Sequence, residues 1–111
     1  MNAHPTASIM VTGHSLGGAL AVLSAVDIKK ALAPTGRMSL YTFGQPRVGN
    51  VEFSDYVYTQ IPINYARVTH YDDAVAHSPP RISGYKHSGN EIWYKNKNHD
   101  GYFMECQNYA G

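Results

Sequence analysis

Ser8-Ile9-Met10-Val11-Thr12-Gly13-His14-Ser15-Leu16-Gly17-Gly18-Ala19-Leu20 is the stretch on which the reading of this chain turns. An apolar run, a glycine-flanked serine and a run of good helix formers predict strand, sharp turn and helix in that order. The Gly13-x-Ser15-x-Gly17 spacing has a mechanical reason: a serine on so tight a turn needs neighbours without Cβ atoms where backbone and helix crowd together. That geometry lifts the hydroxyl off the sheet edge into solvent. A helix starting at once behind it aims its positive end and its first N–H groups, Leu16 foremost, at any oxyanion formed beside Ser15.

Working outward, Asn2 to Ala7 is a short polar lead, and the first strand is expected over about Ser8 to Thr12. It is apolar at successive positions, as in a strand buried on both faces of a parallel sheet. The helix is expected from Leu16 to about Leu32, with an apolar stripe at Leu16, Leu20, Leu23 and Val26 and with Lys29 and Lys30 at its negative end. Pro34 and Gly36 close it. Met38 to Phe43 predicts a second strand, Asn50 an N-cap for a short helix carrying Phe53 and Val57, and Ile63 to His70 a third strand. Beyond it, Tyr71 to Ser83 reads as a polar loop broken by Pro79-Pro80. Ile82 to Lys86 and Glu91 to Lys95 read as a hairpin around Ser88-Gly89-Asn90, and Asn96 to Gly111 as loop.

Alternating strands and helices predict a parallel sheet with right-handed crossovers. Strands in chain order would place both helices on one face. The other face would then lack cover, although the strands are apolar on both sides, so the chain is expected to be an internal piece of a larger domain.

Composition narrows the function classes. At 111 residues and a formal charge of +1, with nine scattered Lys and Arg, the chain has room for one domain and no basic stripe for nucleic acid. No stretch is long and apolar enough for a membrane span, and Met1 to Ala7 lacks the makings of a signal peptide. Cys106 is the single cysteine, which excludes an internal disulfide and any multi-cysteine metal site.

Val11-Thr12-Gly13-His14-Ser15-Leu16-Gly17-Gly18-Ala19-Leu20 resembles the signature of the fungal class 3 lipases. Tyr41-Thr42-Phe43-Gly44-Gln45-Pro46-Arg47-Val48-Gly49-Asn50 resembles the next strand and turn of that family. Val68-Thr69-His70-Tyr71-Asp72-Asp73-Ala74-Val75, with Pro79-Pro80 and Gly84-Tyr85-x-His87 after it, resembles its acid loop. The resemblance implies a partial α/β-hydrolase fold, with residues 1–111 the central portion of one such domain. The lid and upstream oxyanion loop would precede Met1, and the histidine region would follow Gly111. It also implies an extracellular carboxylic ester hydrolase, most simply a triacylglycerol lipase, with feruloyl or other soluble esters as the alternative substrates. No cofactor is implied; the partners are an ester or lipid substrate and, for the whole protein, a lipid interface. Relatives commonly pair a cysteine in the region of Cys106 with one further downstream, beyond where this chain stops.

Acyl transfer by a serine needs a base, an acid to orient the base, and oxyanion donors. Ser15 is the candidate nucleophile, and Leu16 supplies one backbone donor. The order serine then aspartate fits Asp73 or its neighbour Asp72, and the family pattern puts the acid at Asp73. The base has no good candidate here. His14 adjoins Ser15 on a turn where adjacent side chains diverge, His87 matches a structural position of the family, and His77 matches none. His99 comes after the acid, as the order requires, but in an Asn-rich turn with no strand before it. His70, Asp72, Asp73 and His77 could be drawn as a metal cluster, but their spacing fits no metal motif and the polar acid loop is the better reading. A catalytically incomplete or repurposed, non-enzymatic module is the reading opposed to the hydrolase.

Overall fold

The computed structural model describes residues 3–32, 37–61, 64–98 and 101–106. Strand β1 (Ile9–His14) leads through the Ser15 corner into helix α1 (Leu16–Leu32), and β2 (Met38–Phe43) follows. Next come α2 (Val51–Gln60) and β3 (Tyr65–His70), a 3-10 turn at Arg81–Ser83, β4 (Asn90–Tyr94) and β5 (Met104–Cys106). The five strands form one sheet in chain order, parallel from β1 to β4, with β5 antiparallel at the edge. Ile9 registers with Met38, Leu40 with Tyr65 and Ala66 with Asn90.

Both helices pack on the same face of β1 to β3. The core there joins Ala21, Val22, Ala25 and Val26 of α1 to Leu40 of β2, Tyr65 of β3 and Val57 of α2. Asn50 caps α2 as its sequence position suggests, its side-chain oxygen accepting from Phe53 N at 3.0 Å. On the opposite face Met10, Tyr41 and Phe43 are exposed.

Several expectations need correction. β1 runs to His14, and alternate residues along it are exposed, so among the described residues it is covered on one face only. The stripe of α1 that meets the sheet is Gly18, Ala21, Val22, Ala25 and Val26, whereas Leu16, Leu20 and Leu23 face away from it. The first half of α1 is apolar on every side, the pattern of a helix with neighbours on several sides, so its sequence does not single out the buried stripe. The expected hairpin is absent. Arg81–Ser83 is a 3-10 turn closed by Gly84 at φ +84°, and Tyr85 makes an isolated bridge to Asn50. Residues 71–89 are instead the crossover that lets β4 lie parallel to β3, with the Ser88 carbonyl held by Arg67 Nε at 2.9 Å. The tail expected as loop contains β5, which pairs Cys106 with Glu91 and Met104 with Trp93.

Candidate active site

Ser15 occupies the corner between β1 and α1 at φ +54°, a left-handed conformation that costs a residue with a Cβ about 1–2 kcal/mol. Its neighbours hold it there. The Ser15 N–H donates to Phe43 O at 2.9 Å, carrying the β1–β2 ladder one residue past the strand, and its own carbonyl accepts from Gly18 N at 2.9 Å. Leu16 is the first residue of α1, so its N–H has no partner within the helix.

The glycines divide the work differently from the expectation. A Cβ on Gly13 would stand 2.1 Å from the Gly17 carbonyl oxygen, so strand and helix cross here only because Gly13 has no side chain. Gly18 is also tight, 3.1 Å from Gln45 Cβ by the same construction, whereas Gly17 has open space around it. The Gly13-x-Ser15-x-Gly17 motif therefore works through the Gly13 Cα and the Gly17 carbonyl. The second position that needs a missing Cβ is Gly18.

Asp73 lies in the loop just beyond β3. Its Oδ1 accepts from Val75 N at 2.9 Å, an Asx turn that fixes the carboxylate against its own loop. The other oxygen, Oδ2, points over Gly44, where an added Cβ would be 2.8 Å away; His14 Nε2 would be 3.7 Å from the same point. Gly44 itself, at φ +57°, ends β2 and donates its N–H to Val68 O at 2.9 Å. Ser15, Gly44 and Asp73 thus stand at the ends of three adjacent parallel strands. The ends of β1 and β3, which carry Ser15 and the Asp73 loop, are two strand spacings apart, roughly 10 Å. A side-chain-free residue floors the gap between them. Asp72, the rival acid, instead lines a groove of about 710 Å³ together with Tyr71, His77, Trp93 and Cys106.

The acid loop is held by polar contacts from three directions. Arg47 donates through Nη1 to the carbonyls of His77 and Pro79 and through its backbone N–H to Ser78 O at 2.7 Å. His77 Nδ1 donates to Asp73 O at 2.8 Å, and His87 Nε2 donates to Ala76 O at 2.7 Å. Burial pushes His87 down to about 3, with the Arg67 charge acting in the same direction, so it is neutral at physiological pH. His77 matches no position of the family pattern, and nothing in its spacing points to this bond with the Asp73 carbonyl. His99 lies outside the described residues. Among the described residues no three His, Cys, Asp or Glu side chains group as a metal cage would need.

A sharp strand–serine–helix corner on a parallel sheet, with a carboxylate two strands away at the same edge, belongs to the α/β-hydrolase class. The family Lipase (class 3) matches residues 1–83, and the chain is a member of it. It is similar to the secreted mono- and diacylglycerol lipase 1 of Fusarium solani, with 47% identity over 91 residues, 82% of this chain and 26% of that protein. The solved lipase II from Rhizopus niveus superimposes with a TM-score of 0.80 at 43% identity, covering 86% of this chain and 36% of that one. A triacylglycerol lipase structure, described as having a serine protease triad at its catalytic centre, gives 0.77 at 42% identity over 83% of this chain and 35% of its own. The chain spans about a quarter of the length of the curated relatives it matches.

Proposed function

We propose that the protein is a secreted carboxylic ester hydrolase, most simply a triacylglycerol lipase serving lipid metabolism, and that residues 1–111 form the centre of its single catalytic domain. Ser15 is the nucleophile, Asp73 the orienting acid and the Leu16 N–H one oxyanion donor. The observation that carries the reading is the placing of Ser15, at a strained corner after β1, and of Asp73, with Oδ2 over Gly44 beyond β2, at one edge of the parallel sheet. A base between them would take the Ser15 proton and be oriented by Asp73. We assign that base to a histidine outside this chain, so the 111 residues alone should have little or no activity.

In the reaction Ser15 Oγ attacks the ester carbonyl carbon while its proton passes to the imidazole, and the negative carbonyl oxygen is held by N–H groups including that of Leu16. The C–O bond to the alcohol breaks as the imidazolium returns the proton to the leaving oxygen. Water, activated by the same imidazole, then attacks the acyl carbon and frees Ser15. Contact with a lipid interface and the choice between acylglycerols and feruloyl or other soluble esters belong to parts of the domain beyond these residues.

The test is fluorophosphonate labelling read by intact mass, beside Ser15→Ala, on both the 111-residue chain and a longer form extended in both directions. Labelling of Ser15 in the longer form alone supports the whole reading. Labelling of the short chain would place the base within it and overturn that assignment. A longer form that is folded but unlabelled would favour a non-enzymatic module.

A further inference from the structure

Behind the acid loop, Arg47, Arg67, Arg81 and Lys86 converge with Glu91 and His87 on a cavity of about 170 Å³. Its charges do not balance. Lys86 is paired outward with Asp55, Nζ to Oδ1 at 3.2 Å, which leaves three guanidinium groups against one carboxylate. That carboxylate, Glu91, accepts from Thr69 Oγ1 at 3.0 Å and stands 3.7 Å from Arg67 Nη1, too far for a hydrogen bond. Arg47 donates only to neutral carbonyls, and Arg81 has no ion-pair partner among the described residues.

Arg67 is the informative member. Its side chain is 2% exposed, its Nε is fixed on Ser88 O at 2.9 Å, and its Nη1 has no hydrogen-bond partner among the described residues. Burial opposes its charge most; Tyr65 and Glu91 offset part of this, and the nearby Arg47 adds to it. Arginine cannot relieve such a position by losing a proton. What relieves it is an acceptor that also brings negative charge.

We propose that this cavity binds a compact divalent oxyanion of the phosphate or sulfate kind. Guanidinium forks match the oxygen spacing of such ions, and the charge excess favours two negative charges over the one of a carboxylate. The volume equals that of on the order of five waters, enough for a tetrahedral ion and below the ~300–1,000 Å³ typical of sites for larger ligands. The walls are the segment that Arg47 and His87 already hold, so an occupant would brace the loop carrying Asp73. This proposal does not depend on the hydrolase reading.

Sodium phosphate is exchanged for sodium chloride at constant ionic strength and neutral pH while thermal unfolding of the protein and the ³¹P line width are followed. The expected result is saturable stabilisation and line broadening, with sulfate competing. Arg81→Gln, at the exposed mouth, weakens both by at least about tenfold in apparent Kd, while Lys29→Gln on α1 leaves them intact. Arg67→Met removes the orphaned donor itself; because Nε also holds Ser88, the Arg81 variant separates loss of the site from loss of the fold. Absence of saturable broadening, or an equal response from wild type and Arg81→Gln, overturns the proposal. Phosphatidic acid vesicles that displace the phosphate would identify a lipid headgroup as the source, and vesicles that do not would identify the free ion; either result retains the site.

Discussion

Asp73 Oδ2 lies over the Cα of Gly44, so close that a methyl group there would stand 2.8 Å from it. The glycine leaves room for that carboxylate oxygen at the sheet edge where Ser15 also stands.

Gly44→Ala is therefore expected to harm the chemistry more than the fold. The left-handed backbone at φ +57° costs an alanine about 1–2 kcal/mol, and the methyl group displaces the carboxylate. If the longer protein is the hydrolase proposed, its kcat/KM should fall by at least about tenfold while it remains folded. Unchanged kcat/KM would show that the room over Gly44 is not used.

Gly13 and Gly17 flank the same serine, but they should not respond alike. Gly13→Ala drives a Cβ into the backbone of the next helix, where no side chain can give way, and should cost more than about 3 kcal/mol or prevent folding. Gly17→Ala meets nothing within 4 Å and gains helix propensity, so its stability should change by at most about 1 kcal/mol. Urea unfolding of both variants in the full-length protein checks this, and similar losses at the two positions would contradict it.

His87 makes stability depend on pH. Its folded value of about 3 lies below the ordinary 6.5, so the unfolded chain takes up a proton first as pH falls. Stability is then full above about 6.5 and declines toward 3, by up to about 1.4 kcal/mol per pH unit within that window. His87→Gln should flatten this decline between about pH 7 and about pH 5. Parallel profiles for variant and wild type would mean that His87 does not drive it.

Gln45, buried beneath Gly18, accepts at Oε1 from Thr42 Oγ1 at 2.7 Å and from Tyr65 Oη at 2.9 Å. Tyr65→Phe or Thr42→Val alone leaves one donor and should cost about 0.5–1.5 kcal/mol. The double variant leaves that oxygen orphaned and should cost more than the two single losses combined. Simple additivity in unfolding measurements would show that the two bonds act independently.

The elements around Ser15 were legible because local rules agree there: glycine spacing, helix formers and the Asn50 cap each point to the structure observed. Residues 81–106 were harder to read. Ser88-Gly89-Asn90 suggests a hairpin locally, but β4 is placed by a parallel partner 24 residues upstream, and β5 pairs with the edge that β4 offers. The site divides the same way. Ser15 and Asp73 are named by pattern, while the roles of Gly44, His77 and Arg67 arise from contacts between segments that sequence spacing does not encode.

Met10, Tyr41 and Phe43 on the sheet and Leu16, Leu20 and Leu23 on α1 give these residues two apolar surfaces facing opposite ways. The core between sheet and helices is buried, but these two outer surfaces remain open to association. Expressed by itself, this chain would adhere to micelles, to resins and to other copies of itself, and yield would then report stickiness rather than stability. If residues 1–111 are the centre of a larger domain, as proposed, a longer form should lose that stickiness, which light scattering of the two forms would show.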